Sequence, residues 1–98
     1  MDYEVIWTER AISDLESAIQ SVAIDVPVAA ERLRLELLES VEFLSHFPTI
    51  GPIYERIRTG RVREYLCRRY RIFYRIDEHI QRIEILMIWH SSRNEPRF

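Results

Sequence analysis

The sequence predicts an α+β domain in which a short N-terminal strand is followed by an antiparallel helical hairpin and then by a three-stranded antiparallel sheet. Between residues 9 and 48 the apolar residues recur at intervals of three and four, which is typical of amphipathic helices. Between residues 61 and 90 they tend to alternate with polar residues, which is typical of strands. A chain of 98 residues leaves room for one hydrophobic core, so we expect a single domain over residues 1–98.

The first strand and the first helix are predicted from the residues on either side of Thr8. The run from Tyr3 to Trp7 is rich in β-branched and aromatic residues and favours a strand. Thr8 is a suitable N-cap because its hydroxyl can accept a hydrogen bond from the first helical turn. The helix should then run from Glu9 to about Ile24. Its expected buried stripe consists of Ile12, Leu15, Ile19 and Val22.

Two prolines delimit the second helix. Pro27 suits the first turn of a helix, and Pro48 ends the periodic pattern. The intervening stretch of about 20 residues would form a rod about 30 Å long. Because the link between the two helices is short, they should pack as an antiparallel hairpin.

Three strands are expected after the loop at Pro48, near residues 61–66, 70–77 and 80–90. The last is apolar on both faces over its second half, so it should be central in the sheet. Its expected faces carry Ile83, Ile85, Met87 and Trp89 on one side and Leu86 and Ile88 on the other. The segment after His90 has no periodicity and is expected to be extended or mobile.

The net charge of −2 conceals two halves of opposite sign. Residues 1–55 contain three arginines and eleven acids, whereas residues 56–98 contain eleven arginines and five acids. The basic half could meet a polyanion or an acidic partner; the alternative is that the acidic half neutralises it. All fourteen basic residues are arginine, which fits either bidentate recognition or G+C-rich codon usage, so the missing lysine does not locate a site.

The composition also excludes several classes of protein. No apolar run is long enough to span a membrane, and the acidic N-terminus is unlike a signal peptide, so we expect a cytoplasmic protein. Cys67 is the single cysteine and cannot form an internal disulfide. His46, His79 and His90 have no metal-ligand spacing, so we expect neither a metal nor another cofactor.

The stretch RRYRIFYRID, residues 68–77, suggests a basic sheet surface. Alternation directs Tyr70, Ile72, Tyr74 and Ile76 toward the helices and Arg69, Arg71, Phe73 and Arg75 to the opposite face. If the register brings Arg61 and Arg63 beside Arg71 and Arg75, a concentrated basic surface results. The alternative is that the arginines pair across strands with Glu64, Asp77, Glu78 and Glu84. The candidate partner-binding residues are Arg61, Arg63, Arg71, Phe73, Arg75, Arg93, Arg97 and Phe98.

The order of elements, with its accompanying residues, resembles the RelE/ParE family of toxins. The residues that carry the resemblance are Trp7, Ala11, Asp14, Leu15, Ala30, Leu44, Pro48, Gly51, Arg63, the run YRIFYRI, Ile88, His90 and Arg93. The resemblance covers nearly the whole chain and implies the toxin of a type II toxin–antitoxin module. It also implies a hetero-oligomer with a cognate antitoxin, which we expect to be of the ribbon–helix–helix type.

The resemblance leaves the target of the toxin open between two branches. ParE-like members inhibit DNA gyrase and are not nucleases, whereas RelE-like members cleave mRNA on the ribosome. An endonuclease would use Arg63, Arg71, His90 and Arg93, with His90 as a candidate acid or base. The sequence has no lysine and no tyrosine after Tyr74, unlike RelE-like members, so ParE-like gyrase inhibition is favoured. A third interpretation is an inactive member that is kept for antitoxin binding and operator repression.

Overall fold

The computed structural model describes residues 2–57 and 61–96 and has the predicted α+β architecture. Its elements in chain order are β1 (Glu4–Trp7), α1 (Glu9–Ala23), α2 (Pro27–His46), β2 (Arg63–Cys67), β3 (Tyr70–Asp77) and β4 (Arg82–His90). The four strands form one sheet in the order β1-β4-β3-β2. β1 is parallel to β4, and the other two pairings are antiparallel. The prediction that the last strand is central is confirmed.

Thr8 joins the start of α1 to the middle of the sheet. Its hydroxyl accepts from Ala11 N at 3.1 Å, as expected of an N-cap, and lies within donating distance of the Ile85 carbonyl at 2.8 Å. This anchor turns the small side chain of Ala11 toward the sheet. Ile12, which was expected in the buried stripe, is therefore 43% exposed.

The two helices cover one face of the sheet and form the main core with it. α2 starts at Pro27, which occupies the first turn, and ends at His46. The predicted hairpin is confirmed, because α1 and α2 pack against each other. Buried residues of this core from the helices are Ala11, Leu15, Ile19, Ala30, Leu33, Leu37, Val41 and Leu44. The sheet contributes Cys67, Ile72, Tyr74, Ile83, Ile85 and Ile88. None of the described helices is long and apolar enough to cross a membrane.

A β-bulge in β4 makes the predicted faces of this strand wrong. Phe73 pairs with Met87 but Tyr74 pairs with Ile85, so Leu86 is an extra residue without a partner on β3. One extra residue reverses the side to which every later side chain points. Ile88 consequently joins the helix-side core, whereas Met87 contributes to a second core on the outer face.

The outer face of the sheet carries this second core and is not the open basic surface that alternation predicted. Tyr54, Val62, Phe73 and Met87 are buried together there, and Phe73 is 0% exposed. The segment before β2 provides the cover. Tyr54 N donates to Val62 O at 2.7 Å, and Glu64 N donates to Pro52 O at 3.0 Å. The prediction of Phe73 as an exposed partner-binding residue is therefore wrong.

The loop after α2 is fastened to the sheet by Tyr74. Its buried hydroxyl donates to Pro48 O at 2.7 Å and accepts from Gly51 N at 3.0 Å. A side chain at position 51 would clash, because its Cβ would lie 2.5 Å from Glu64 O and 2.7 Å from the Tyr74 hydroxyl. The glycine thus permits the close approach of loop and strand.

Replacing this hydroxyl should destabilise the domain. We expect Tyr74→Phe to lower the free energy of unfolding by about 1–3 kcal/mol, because a buried N–H and a carbonyl lose their partner. Urea unfolding at neutral pH measures the change. Tyr65→Phe is the matched control, since the Tyr65 hydroxyl has no hydrogen bond among the described residues while its ring contacts Phe43. Equal losses in the two variants would contradict this role for Tyr74.

The stability difference between wild type and Tyr74→Phe should also depend on pH. Burial raises the pKa of Tyr74 above its ordinary value of 10.0, so the folded state favours the neutral phenol. This contribution is complete below pH 10.0 and is lost as the pH rises through the higher pKa of the folded state. The stability difference between wild type and Tyr74→Phe should shrink above pH 10.0, as measured by urea unfolding across this range. A constant difference would contradict the shift.

Candidate functional site

The register of the sheet separates the arginines that were expected to cluster. Arg63 pairs with Tyr74, whose side chain belongs to the helix-side core, whereas Arg71 lies on the outer face opposite Leu66 and Trp89. The Arg63 guanidinium donates to Gly51 O at 2.8 Å and to Thr49 O at 3.3 Å. Its contacts thus hold the loop, and the expectation of one basic surface built from Arg61, Arg63, Arg71 and Arg75 is wrong.

Several contacts hold the Arg71 guanidinium on the outer face, and its side chain is only 13% exposed. Its guanidinium carbon lies 5.0 Å from the ring centroid of Phe73 and 5.8 Å from that of Tyr54. Arg71 Nη1 and Nη2 donate to the two carboxylate oxygens of Glu95 at 3.1 and 3.0 Å. The Tyr54 hydroxyl also hydrogen-bonds Glu95 Oε2. We call Arg71, Tyr54 and Phe73 the Arg71 clamp and Glu95 its ligand.

The contact between Tyr54, Arg71 and Glu95 shifts the pKa values of Tyr54 and Glu95. Burial raises the pKa of Tyr54, and the hydrogen bond to Glu95 raises it further. The hydrogen bond from Tyr54 and the charge of Arg71 lower the pKa of Glu95. The arrangement therefore favours a neutral Tyr54 phenol, a positively charged Arg71 guanidinium and an ionised Glu95 carboxylate.

The C-terminal segment, which was expected to be extended or mobile, packs on the outer face as far as residue 96. Trp89 Nε1 donates to Asn94 O at 2.8 Å, and the Arg93 guanidinium carbon lies 5.6 Å from the Trp89 ring centroid. Pro96 is buried. Residues 91–96, which we call the tail, are thus held by these side chains and by the backbone hydrogen bond from Ser91 N to Arg69 O at 2.7 Å. The candidates Arg97 and Phe98 lie outside the described residues.

Arg75 and Arg61 lie apart from the Arg71 clamp. Arg75 Nη1 is 3.7 Å from Glu84 Oε1 in the neighbouring strand, which agrees with the alternative of cross-strand pairing. Glu64 Oε1 is 4.0 Å from Arg71 Nε, a distance too long for a hydrogen bond. Arg61 is exposed before the start of β2 and has a positive φ of 45°.

His90 lies at the end of β4 on the helix side. Its Nδ1 accepts from Ser92 N at 3.1 Å and lies 2.6 Å from Ser92 Oγ. A backbone N–H can only donate, so Nδ1 is the acceptor in the bond from Ser92 N. The ring meets Tyr70 edge to face at 5.0 Å. His90 and Arg71 therefore point to opposite faces of the sheet.

A cleft of about 300 Å³ lies between α2 and the turn from β2 to β3, and no feature of the sequence predicted it. Its lining includes Val22, Leu33, Arg32, Arg68, Arg69, Tyr70 and His90. Arg68 has a positive φ of 55° and donates through Nη2 to Glu36 Oε1 at 2.6 Å. Arg32 and Arg69 form no ion pair with any described residue. The positive charge at this cleft is therefore more accessible than that of Arg71, which is bound to Glu95.

The described residues offer binding groups more clearly than catalytic ones. RNA cleavage needs a base, cations and an acid around one phosphate. Arg63 is bound to loop carbonyls, Arg71 to Glu95, and His90 points to the other face. No three His, Cys, Asp or Glu side chains in residues 2–57 and 61–96 are placed to hold a metal ion. The Glu95–Tyr54 contact was missed because neither residue follows a recognisable motif.

Comparisons with known proteins agree with this fold. A family model described as the ParE toxin of the type II toxin–antitoxin system parDE matches residues 5–95. A relative named Toxin RelE2 from Caulobacter vibrioides is 30% identical over 91 residues, which cover 92% of this chain and 97% of the relative.

Two solved structures are similar to this chain over most of their length. A chain of the chromosomal ParDE toxin–antitoxin system from P. aeruginosa aligns with a TM-score of 0.75 and 21% identity, covering 90% of this chain and 95% of that one. A chain of the RelBE2 toxin–antitoxin complex from Mycobacterium tuberculosis aligns with a TM-score of 0.68 and 26% identity, covering 92% and 99%. The resemblance inferred from the sequence is confirmed, and the chain belongs to the ParE toxin family, within the RelE/ParE group of type II toxin–antitoxin toxins.

Proposed function

We propose that this toxin acts as a ParE-like inhibitor of DNA gyrase and that it works by binding, without cleaving RNA. One observation carries the proposal. Of the four residues that an endonuclease would use, only His90 and Arg93 line a common cleft. Arg63 is bound to loop carbonyls, and Arg71 lies on the opposite face of the sheet from His90. The match to the ParE family model supports the same branch.

The chemistry of these arginines and of His90 is also better suited to binding than to proton transfer. Arginine is a poor general base because its pKa lies above about 12. Arg93 stacks on Trp89, and the hydrogen bond from Ser92 N occupies His90 Nδ1. A residue set of this kind can hold an anionic or aromatic surface of a partner without moving a proton.

A cognate antitoxin is the second partner in this proposal. The related structures from P. aeruginosa and M. tuberculosis are described as toxin–antitoxin systems, which supports a similar assembly here. Exposed apolar side chains on and next to the helical hairpin include Ile12, Leu35, Leu38, Phe43 and Phe47. An amphipathic antitoxin segment would cover this surface and direct its acids to Arg32 and Arg69 at the neighbouring cleft.

The alternative function is a RelE-like, ribosome-dependent mRNA endonuclease. It is favoured by one observation, since the 30%-identical relative is named Toxin RelE2. That function would require Arg71 to leave Glu95 and the imidazole of His90 to reach the same phosphate. The two proposals differ in their target and are separated by the experiments below.

The purified toxin, freed of antitoxin, should block DNA supercoiling by gyrase. We expect the triple variant Arg93→Ala, Arg97→Ala, Phe98→Ala to inhibit about tenfold more weakly, because it removes two cations and one aromatic ring while it keeps Glu95 and Pro96 in place. A supercoiling assay across a range of toxin concentrations measures the change. Arg34→Ala changes a half-buried arginine on α2 that pairs with Glu31; it is the matched control and should inhibit like wild type. Full supercoiling with excess folded wild-type toxin would refute the proposal.

Translating ribosomes mixed with the toxin should show no codon-spaced breaks in their mRNA by primer extension. If His90 were a proton donor or acceptor, His90→Gln would lower cleavage by roughly 10²-fold, because glutamine hydrogen-bonds but does not exchange protons near neutrality. Breaks that appear with wild type and disappear with His90→Gln would replace gyrase inhibition by the endonuclease function. Breaks that survive the substitution would also establish cleavage, with Arg63, Arg71 and Arg93 as the next residues to test.

A further inference from the structure

We propose that the cleft between α2 and the β2–β3 turn, which we call the turn cleft, binds a small phosphate monoester with a compact apolar organic part. Arg32 and Arg69 hold the phosphate, and Arg68 keeps Glu36 from repelling it. The apolar wall of the cleft covers the organic part. Such a ligand goes beyond the proposed function, which concerns only macromolecular partners.

The turn cleft has more positive charge than the fold uses. Its lining contains three arginines, Arg32, Arg68 and Arg69, and one acid, Glu36. Both oxygens of Glu36 face Arg68, since Arg68 Nη2 donates to Oε1 at 2.6 Å and Arg68 Nε lies beside Oε2. Arg32 and Arg69 form no ion pair with any described residue. These two free positive charges match a phosphate monoester, which carries about two negative charges at neutral pH.

The two free guanidinium groups come from different parts of the fold. Arg32 is on α2, and Arg69 is in the turn between β2 and β3. Arginines on separate elements can bind one phosphate from two sides, and each can form two parallel hydrogen bonds with its oxygens. The pair therefore offers a receptor for a dianion, which a single surface arginine does not.

The backbone of the turn departs from local preference at Arg68. Cys67 pairs with Tyr70, so Arg68 and Arg69 are the two residues of a tight hairpin turn. Arg68 has a positive φ of 55°, and glycine is the usual residue at such a position. Other residues in this conformation are concentrated at ligand-binding and active sites. Neutralisation of Glu36 gives a reason for an arginine here, because a free carboxylate in the cleft would repel an anion.

The apolar wall of the turn cleft selects the organic part of the ligand. Leu33 is 7% exposed, and Val22 and Ala29, which line the same cleft, are half-buried. The Tyr70 ring is part of this lining and packs edge to face against His90. The volume of about 300 Å³ lies at the small end of the range for small-molecule sites. Inorganic phosphate would leave the wall hydrated, whereas a compact ring would cover it.

Phenyl phosphate is a suitable probe, because it joins a phosphate dianion to one aromatic ring. It is added to the full chain, and the side-chain N–H resonances of Arg32 and Arg69 are followed by NMR. We expect saturable binding with a dissociation constant of about 1 mM or lower. Inorganic phosphate, which lacks the ring, and benzoate, which carries a single charge, should each bind about tenfold more weakly.

Charge variants locate the site within the fold. Arg32→Ala and Arg69→Ala should each weaken the binding of phenyl phosphate about tenfold or more, because hydrogen bonds between arginine and phosphate are lost. Arg34→Ala is the matched control, since it removes the same charge from an arginine of α2 that pairs with Glu31. It should leave the affinity unchanged. Equal effects of Arg32→Ala and Arg34→Ala would show attraction to the surface as a whole and overturn the proposal.

A further pair of variants tests the role of Arg68. Glycine accepts the positive φ, so Arg68→Gly should fold like wild type, as measured by urea unfolding. It should nevertheless bind phenyl phosphate several-fold more weakly, because Glu36 is left without its cation. Adding Glu36→Gln removes the acid and should restore the affinity of wild type. A folded double variant that binds no better than Arg68→Gly would overturn the charge balance on which the proposal depends.

Two results with the wild-type chain would also overturn the proposal. One is the absence of saturable binding at about 10 mM phenyl phosphate. The other is tighter binding of a short single-stranded oligonucleotide at equal phosphate concentration, which would identify a nucleic-acid surface. The antitoxin is proposed to direct acids to the same two arginines, so the assay uses toxin freed of antitoxin. It contains no gyrase either, and its failure is therefore distinct from failure of the proposed function.

Discussion

The extra residue at Leu86 in β4 is the constraint on which the two-sided structure depends. Before the bulge, Ile83 and Ile85 pack under the helices, and after it Ile88 does so as well, while Met87 turns to the opposite face. A central strand without the bulge would present Met87 to the helices and Ile88 to the second core. Thr8 fixes the bulge in space, because its hydroxyl lies within hydrogen-bond distance of both Ile85 O and Leu86 O while it caps α1.

The second core explains why the Arg71 guanidinium has a fixed position on the outer face of the sheet. Phe73 and Tyr54 are packed edge to face at 5.0 Å, and Arg71 lies against both rings. An arginine on an exposed strand would be mobile and hydrated, whereas this one has a fixed fork and a low exposure. Arg71 and His90 therefore lie on opposite faces of the sheet, with His90 on the face that the helices cover. This separation is the basis of our proposal that the toxin acts by recognition.

The sequence allowed most of the fold to be predicted and little of the candidate site. Thr8, Pro27 and the three-and-four spacing locate the helices, because capping and amphipathicity are local properties. The bulge has no comparable signal, since a strict period of two fits the residues from Ile83 to Trp89 equally well. Arg71 and Glu95 are 24 residues apart and meet only through tertiary packing. Alternation assigned Phe73 to the correct face, but it could not reveal that residues 52–57 cover that face.

The bridge between Ile53 and Arg63 bears on self-association of the toxin. β2 is an edge strand, and such edges template unwanted pairing between chains when they are long and bare. The backbone bonds from Tyr54 and Glu64 occupy the first part of this edge, which leaves the stretch 65–67 as the part that no described segment pairs. Three residues offer too short a template for stable pairing, so the loop that builds the second core also shields this edge of the sheet from pairing with another chain.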